Sequence, residues 1–292
     1  MKRKLYLFTG FGFIGLNILD YLKNDKFKLN IIGRKKKYPF KILINNKKLN
    51  IINQNIFDIK KLNKLKFTDS IVVLSTLNSK EKNFQKKFNK LVKFLSEKKL
   101  RKVILISSVS IYGNTNIRKF QLKNQYSKNI FFAEKICIKN FDNLKILRVA
   151  NLFGILRIKP GIIEKIILQY LKIDKFKFFK EDTFRSFVSI DDFVKILKII
   201  INYKSDKKIY NISNENYVYS IKKFLKTFNK IYGSQIILET NSSKPNIKFS
   251  KIKSISIKKD FKFKFQKNIK IELDKLNNFY KNYLILKKKY LI

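Results

Sequence analysis

The stretch that decides the fold is LYLFTGFGFIGLNIL, residues 5–19. Four apolar or aromatic residues lead into a turn in which Gly10, Gly12 and Gly15 have Gly-x-Gly-x-x-Gly spacing, and a helical pattern follows. A strand that breaks into this spacing and continues as a helix is typical of a turn that binds the linked phosphates of a dinucleotide. The basic start MKRK before an apolar run would also fit a secretory signal. No small-residue cleavage site follows and Asp20 begins a polar face, so the strand–turn–helix interpretation is favoured.

The three glycines have separate expected roles. Gly10 permits the sharp turn, Gly12 lets backbone amides approach a pyrophosphate, and Gly15 lets helix and strand pack closely. The start of the helix offers unpaired N–H groups and a partial positive charge to the anion. A bare tight turn is the alternative interpretation. We expect cofactor contacts here from Gly10, Phe11, Gly12, Phe13, Ile14 and Gly15.

Apolar strand-like runs alternate with amphipathic helical segments through the first half of the chain. Strands alternating with helices of this length predict βαβ units and a parallel sheet. The predicted fold class is therefore α/β, a Rossmann-like doubly wound parallel sheet with a small C-terminal substrate lobe. The strand candidates are residues 4–10, 28–33, 49–55, 70–76, 102–109 and 145–153.

Two domains are expected in this fold. The chain is predicted to form the dinucleotide-binding domain with residues 1–154 and 186–213. The remaining residues, 155–185 and 214–292, are expected to form the substrate-binding lobe.

Composition excludes several classes of function. Lys+Arg number 67 against 20 Asp+Glu, a net charge of +47, but only seven of the cations are Arg and the lysines are spread over the whole chain. A nucleic-acid binder concentrates its charge on one face and interleaves stacking aromatics, so nucleic acid is not the expected partner. The absence of histidine excludes His bases, Ser-His or Cys-His pairs and His metal sites, and no metal is expected.

The cysteine content and the hydropathy of the chain indicate its cellular compartment. The single cysteine, Cys137, cannot form an intramolecular disulfide and lies in a helical pattern that predicts core packing, which favours a reducing compartment. No run of about 18 apolar residues is present, so no membrane span is expected. A cytoplasmic location is predicted.

The second strand ends in IIGRKKK, residues 31–37, where a dinucleotide binder usually carries an acid for the ribose hydroxyls. Arg34 stands there instead. A guanidinium suits a 2′-phosphate, so NADP is the favoured cofactor and NAD the alternative. A solvated basic turn would explain the same residues without a ligand.

Further motifs follow in order: SSVSIYG at 107–113, NQYSKNIFFAEK at 124–135, ILRVANLFG at 146–154, TFRSFVSIDDFV at 183–194 and IYNISNE at 209–215. Together with the glycine turn they resemble the extended short-chain dehydrogenase/reductase family, the NAD-dependent epimerase/dehydratase group that acts on nucleotide sugars. The resemblance is collinear over about 1–225, which makes it more specific than any one motif.

The resemblance implies roles for individual residues. Tyr126 matches the catalytic tyrosine, which is also expected to contact the cofactor, and Ser108 matches the hydroxyl residue that binds the same substrate oxygen. Asn151 and Arg185 match positions near substrate, with Arg185 implied to meet a nucleotide diphosphate. The stretches expected beside the adenine and beneath the ribose are Asn55 with Ile56, and Leu74, Ser75 and Thr76.

One departure from the family pattern is serious. Counting from Tyr126, the position of the family's lysine is Ile130, and the register is fixed by Ala133-Glu134-Lys135. Lys128 cannot substitute, because two residues along a helix turn the side chain to another face. Either another lysine reaches in, with Lys123 the nearest candidate, or the enzyme is slow, or the fold binds nucleotide without turnover.

The predicted function is that of an NAD(P)-dependent epimerase, reductase or dehydratase acting on a nucleotide-linked sugar by hydride transfer with Tyr/Ser acid–base chemistry. The dehydratase subtype is disfavoured, because Val109 and Ser110 stand where it carries an Asp-Glu pair. The alternative is a catalytically silent dinucleotide-binding protein, a sensor or assembly partner. The resemblance also implies a homodimer through the helices that hold Asn83 and Tyr126; the apolar run 130–132 is compatible with that and equally with burial in the core.

Overall fold

The protein is described from a computed structural model. It describes residues 3–34, 49–75, 82–113, 120–122, 124–157, 159–178, 184–203, 206–237 and 252–290, with side chains up to residue 283.

Ten strands and nine α-helices lie in this described part of the chain. The strands are β1 Arg3–Phe8, β2 Phe27–Gly33, β3 Leu49–Asn53, β4 Ile71–Ser75, β5 Lys102–Ser108, β6 Leu144–Val149, β7 Asn151–Phe153, β8 Arg185–Ser189, β9 Ile209–Ile212 and β10 Asn214–Tyr219. The helices are α1 Phe13–Leu22, α2 Ile59–Leu62, α3 Phe84–Ser96, α4 Gln125–Asn140, α5 Ile162–Tyr170, α6 Ile190–Asn202, α7 Ile221–Tyr232, α8 Ile255–Phe261 and α9 Ile269–Tyr290.

The central sheet has the strand order β3-β2-β1-β4-β5-β6-β9, and its pairings are parallel. The order reverses direction between β1 and β4, where a crevice opens outside the carboxyl ends of the strands. The predicted Rossmann-like doubly wound sheet is confirmed. The turn after β1 lies directly at this switch point.

Successive residues of β1 point to opposite faces of the sheet, as strand geometry requires. Leu5 and Leu7 join a core formed with α1 and α6, whereas Tyr6 and Phe8 join a core formed with α2, α3 and α4. Cys137 of α4 is fully buried in the second of these cores, which confirms its predicted packing role.

The run predicted as one strand over 145–153 is in fact two strands. β6 ends at Val149, and Ala150 donates its N–H to the carbonyl of Ile212 in β9. β7 then pairs with β8 in a separate three-stranded sheet, β10-β8-β7. The chain changes sheets here because the hydrogen-bonding partner of the backbone changes, a tertiary effect that local apolar patterning does not carry.

A third core lies between the small sheet and helices α5, α7 and α9, built on Phe153, Phe187 and Tyr217. Ile257 of α8 and the nearby Phe265 pack instead into the core of the large sheet. The division into a dinucleotide-binding domain and a lobe stays a prediction, with this segment of the C-terminal part resting against the first sheet.

Lys102, the first residue of β5, closes the end of α6. Its Nζ donates to the carbonyl oxygens of Ile200 (2.6 Å), Ile201 (3.1 Å) and Tyr203 (2.7 Å). These are carbonyls that a helix C-terminus leaves without partners in its own backbone. Burial lowers the pKa of Lys102 to about 8.

An acidic group is buried where α9 meets the start of α6. Glu272 and Asp192 are 6% and 2% exposed, and Lys275 Nζ lies 2.6 Å from Asp191 Oδ2 and 3.7 Å from Glu272 Oε1. Burial raises the pKa of Glu272 from 4.5 to about 7, and the neighbouring Asp191 and Asp192 carboxylates act in the same direction, against Lys275. Folding therefore favours the protonated form of Glu272.

The raised pKa of Glu272 makes the stability of the fold depend on pH. Between pH 4.5 and about 7 the unfolded chain loses the Glu272 proton while the folded chain keeps it, so this carboxyl contributes less stability as pH rises. We expect the free energy of unfolding of Glu272→Gln, relative to that of the parent, to increase by about 2–3 kcal/mol from pH 4 to pH 8. Urea unfolding across that range measures it. Glu97→Gln, at an exposed site, should show no such trend, and a pH-independent difference for Glu272→Gln would contradict the prediction.

Candidate active site at the carboxyl edge of the sheet

The glycine turn has open space beside Gly10 and Gly12 and close backbone packing at Gly15 and Gly33. Gly10 has φ +60°, and Gly12 is the extended residue that precedes α1. A Cβ built on either would meet no atom of the described structure within 4 Å. A Cβ on Gly15 would lie 2.0 Å from the Gly10 carbonyl oxygen, and one on Gly33 would lie 2.7 Å from Gly10 Cα. The turn is thus pressed between α1 and the end of β2, with free space on its outer side.

The other residues of the turn offer backbone rather than side chains. Phe11 and Ile14 are 2% and 6% exposed and belong to the core beneath the sheet. Phe13 is half-buried, with the Arg157 guanidinium 5.0 Å from its ring centroid. The donor groups available at the start of α1 are therefore main-chain N–H groups, which suit an anion.

The remaining predicted cofactor residues follow the ends of neighbouring strands. Arg34 is exposed directly after β2. Asn55 follows β3 and accepts the N–H of Phe57 with its Oδ1, while Ile56 is buried. Leu74 and Ser75 are buried at the end of β4, and Thr76 lies outside the described residues. Because these strands are parallel, their carboxyl ends meet at one edge of the sheet.

Ser108 and Tyr126 come together at the same edge. Ser108 ends β5, and its Oγ accepts the N–H of Ser110 (3.1 Å) in the following 3₁₀ turn. Tyr126 is in the first turn of α4, which begins with a capping box between Asn124 and Ser127. The Ser108 hydroxyl lies beside the Tyr126 phenol. Burial raises the pKa of Tyr126, and the neighbouring Ser108 hydroxyl offsets part of that rise.

Ile130 occupies the position one turn beyond Tyr126 and is fully buried. It packs in an apolar cluster with Ile111, Tyr112 and Ile252, against which Tyr126 also lies. Lys128 is exposed, in agreement with the expectation that it cannot substitute, and Lys123 lies outside the described residues. An aliphatic side chain, not a cation, fills this position beside the phenol.

A buried polar network beneath the Ser108–Tyr126 pair was missed by sequence reasoning. Arg148 of β6 binds both carboxylate oxygens of Glu134 of α4, with NH2 to Oε2 at 2.7 Å and Nε to Oε1 at 3.0 Å. Ser107 donates its hydroxyl to Glu134, and Arg148 NH1 donates to the Tyr112 hydroxyl at 2.7 Å. Tyr112 in turn donates to Asn211 Oδ1 at 2.8 Å. The network ties β5, β6, β9 and α4 together.

The signal for this network was present in the motifs. Tyr112 belongs to SSVSIYG, Glu134 to the Ala-Glu-Lys segment, Arg148 to ILRVANLFG and Asn211 to IYNISNE. Each served only as a landmark of the resemblance. A carboxylate and a guanidinium within otherwise apolar helix and strand patterns could have been paired, because buried charges require partners.

The two predicted substrate residues both lie on the small sheet. Val149 is in register with Ser108, and Asn151 follows two residues later as the first residue of β7. Asn151 is exposed and donates Nδ2 to the Ser186 carbonyl at 3.0 Å. Arg185 is the first residue of β8. It lines a small pocket together with the aromatic side chains of Phe187, Tyr219 and Phe224.

Neither a metal site nor a membrane-spanning helix is found in the described part of the chain. No group of three or more Cys, Asp or Glu side chains in this part of the chain could hold a metal ion. Among the helices described, none combines the length and the apolar character needed to cross a lipid bilayer.

The fold and the ordered site motifs define a dinucleotide-binding enzyme family. The sequence profile of the NAD dependent epimerase/dehydratase family matches residues 6–213, and the chain belongs to this family. No curated protein sequence matches the chain.

Solved structures share the fold over nearly the whole chain. UDP-glucuronic acid 4-epimerase from Bacillus cereus, in complex with UDP-glucuronic acid and NAD, is 18% identical with TM-score 0.79, covering 96% of this chain and 99% of that one. dTDP-glucose 4,6-dehydratase from Bacillus anthracis, in complex with NAD, is 14% identical with TM-score 0.80, covering 96% and 97%. UDP-N-acetylglucosamine 4-epimerase from Methanobrevibacter ruminantium is 20% identical with TM-score 0.78, covering 96% and 98%.

Proposed function

We propose that this chain is a nicotinamide-dinucleotide-dependent epimerase, reductase or dehydratase that acts on a nucleotide-linked sugar. The observation that carries the proposal is the juxtaposition of the Ser108 hydroxyl and the Tyr126 phenol at the carboxyl edge of the sheet, which also carries the open glycine turn. Family membership over residues 6–213 supports the reaction class. The solved structures named above, which hold UDP-glucuronic acid or NAD, support the choice of ligands.

The residues present fit a dinucleotide. Open space beside Gly10 and Gly12 and the N–H groups at the start of α1 would hold the pyrophosphate, and the ends of β3 and β4 would face the nucleosides. A bound nicotinamide ring would supply or accept the hydride. Arg34 is exposed after β2, which supports NADP over NAD as the cofactor, because a guanidinium pairs well with a phosphate.

Ser108 and Tyr126 would act on one substrate oxygen. Tyr126 would move a proton between its phenol and that oxygen, and Ser108 would hold the oxygen with a hydrogen bond while orienting the phenol. Asn151, two residues beyond the partner of Ser108, would contact the sugar, and Arg185 would contact the diphosphate. A guanidinium suits that anion.

A second candidate is a dinucleotide-binding protein without turnover, a sensor or assembly partner. The buried Ile130 beside Tyr126 favours it. The experiment that separates the two is hydride transfer on a panel of UDP- and dTDP-linked sugars, with labelled NADPH or NADH offered to the keto forms and NADP or NAD offered to the hydroxyl forms. Tight dinucleotide binding without exchange on any sugar would support the silent protein and contradict the enzyme.

The glycine turn gives a test of cofactor binding. Gly12→Ala should cost at most about 1 kcal/mol of stability, because its φ of −86° suits alanine and its surroundings are open. Its new methyl enters the proposed phosphate space, so NADPH affinity should fall at least about tenfold. Gly15→Ala should lower both the stability of the fold and the affinity for NADPH, since overpacking against the Gly10 carbonyl costs about 1–3 kcal/mol. Thermal unfolding and NADPH fluorescence titration measure these effects.

Gly233→Ala is the control for the glycine series. Gly233 ends α7 with φ +62°, away from the turn, so alanine there should cost about 1 kcal/mol and leave NADPH affinity unchanged. Unaltered affinity in Gly12→Ala would show that the turn does not hold the dinucleotide.

Location and assembly complete the proposal. The cytoplasm is the proposed compartment, because the one cysteine is a buried free thiol. A homodimer through α3 and α4 is also proposed; the two helices pack on each other, and Ile138 of α4 stays 44% exposed. Sedimentation of the purified chain, compared with Ile138→Lys, tests the dimer.

A further inference from the structure

The surroundings of Tyr126 are apolar on the sides that face its own helix and the 3₁₀ turn. Ile130 lies one turn along α4 and Ile111 in the 3₁₀ turn, and both are fully buried. Ile252, which is 2% exposed, reaches the same cluster from the far C-terminal part of the chain. A phenol in such surroundings keeps its proton, because an anion is poorly solvated there.

The charged groups that the structure describes on the elements around Tyr126 are engaged elsewhere or exposed. Arg148 binds Glu134 through Nε and Nη2, and its Nη1 donates to the Tyr112 hydroxyl. Lys128 on α4 and Lys253, next to Ile252, are exposed. Among the described residues, Tyr126 therefore has Ser108 as its polar partner and no cation that would stabilise a phenolate.

We propose that the site works in one direction: Tyr126, held as a neutral phenol by the Ile130 cluster, donates its proton to a substrate carbonyl oxygen, so that the substrate is a keto-sugar nucleotide and the product its alcohol. This inference rests on the proposed function and narrows it to a carbonyl reductase. The carbonyl carbon gains a hydride from reduced nicotinamide dinucleotide, and the oxygen gains the Tyr126 proton. The π bond of the carbonyl breaks, C–H and O–H bonds form, and water then reprotonates Tyr126.

The direction follows from which form of the phenol each reaction needs. Reduction needs the neutral phenol, which is almost the whole population at pH 7. Oxidation of an alcohol needs the phenolate, about one molecule in a thousand for a phenol of pKa about 10 and fewer after burial. Reduction should therefore be independent of pH between pH 6 and pH 9, whereas oxidation should rise about tenfold for each pH unit over that range.

The first arm of the test measures the phenol itself, without cofactor. In protein labelled with ¹³C at tyrosine Cζ, the resonance missing from Tyr126→Phe identifies Tyr126. Its shift should not change between pH 6 and pH 9. Ile130→Lys should introduce a titration at least one pH unit lower than the parent's, whereas Ile271→Lys, the same change at an exposed site of α9, should leave the resonance unaltered. A parent resonance that titrates between pH 6 and pH 9 overturns the proposal, whether or not Ile130→Lys folds.

The second arm measures direction. The probes are UDP- and dTDP-linked 4-keto-6-deoxyhexoses with NADPH, and the matching 4-hydroxy sugars with NADP. At pH 7 we expect reduction to exceed oxidation by at least about a hundredfold at saturating substrate. Equal rates in both directions, or epimerisation of the 4-hydroxy sugars at pH 7, overturn this inference and leave the proposed function standing. Failure to reduce any keto probe also overturns this inference, and it overturns the proposed function only if the hydroxy sugars are neither oxidised, epimerised nor dehydrated.

Discussion

Replacing Tyr126 with phenylalanine is expected to lower the turnover number for hydride transfer about a thousandfold, equivalent to about 4 kcal/mol of transition-state stabilisation. The change removes one oxygen atom, that of the hydroxyl beside Ser108, and leaves the ring against the Ile130 cluster. Packing and dinucleotide affinity should therefore be nearly unchanged. Steady-state reduction of a keto-sugar nucleotide, with NADPH titration beside it, separates turnover from binding.

Two controls sharpen this result. Ser108→Ala should reduce turnover by about a hundredfold, because it removes a hydrogen bond to the same oxygen but not the proton donor. Tyr203→Phe, at a site 52% exposed, removes the same atom far from the sheet edge and should have no effect on rate. A loss of less than tenfold in Tyr126→Phe would exclude this phenol as the proton donor.

Breaking the buried ion pair should have the largest effect on folding. Glu134→Gln leaves the Arg148 guanidinium buried without its counter-ion, and removing one partner of such a pair typically costs about 3–5 kcal/mol. Stability should fall by that amount in urea unfolding. Lys23→Ala, which breaks the exposed Asp20–Lys23 pair, should cost no more than about 0.5 kcal/mol. Comparable losses in the two variants would contradict the assignment.

The pair can also be removed whole. Glu134→Leu combined with Arg148→Met replaces both charges by apolar groups and should recover much of the loss, since the desolvation cost of the charges disappears with them. The folded double variant should still be slow in turnover. Ser107 loses its carboxylate acceptor, and Tyr112 of the 3₁₀ turn that follows Ser108 loses the Arg148 donor, so this turn is held less firmly.

Much of the large sheet could be predicted because its signals are local. Alternation in β1 sends Leu5 and Tyr6 to opposite faces, and the glycine spacing marks where the strand must turn. The split of residues 145–153 into β6 and β7 could not be predicted in the same way. It depends on the bond from Ala150 to Ile212, a residue 62 positions later.

The candidate site shows the same division. Ser108 and Tyr126 were identified because each stands in a motif of fixed spacing. The contribution of Ile252 was missed, since it comes from a lysine-rich segment with weak patterning, more than a hundred residues after α4. The Glu134–Arg148 bond was missed because spacing identifies the two residues but does not say that they face each other across the sheet and α4.

The Lys102 ammonium at the end of α6 limits how the surface of this protein can be engineered. Reductive methylation, or wholesale exchange of lysine for arginine to aid crystallisation, would treat all amines alike. Lys102 uses three donors in a socket of three carbonyl oxygens, and neither a dimethylated amine nor a flat guanidinium reproduces that geometry. Such modifications should therefore leave Lys102 unchanged, because otherwise the carbonyl oxygens at the end of α6 lose their hydrogen-bond donor.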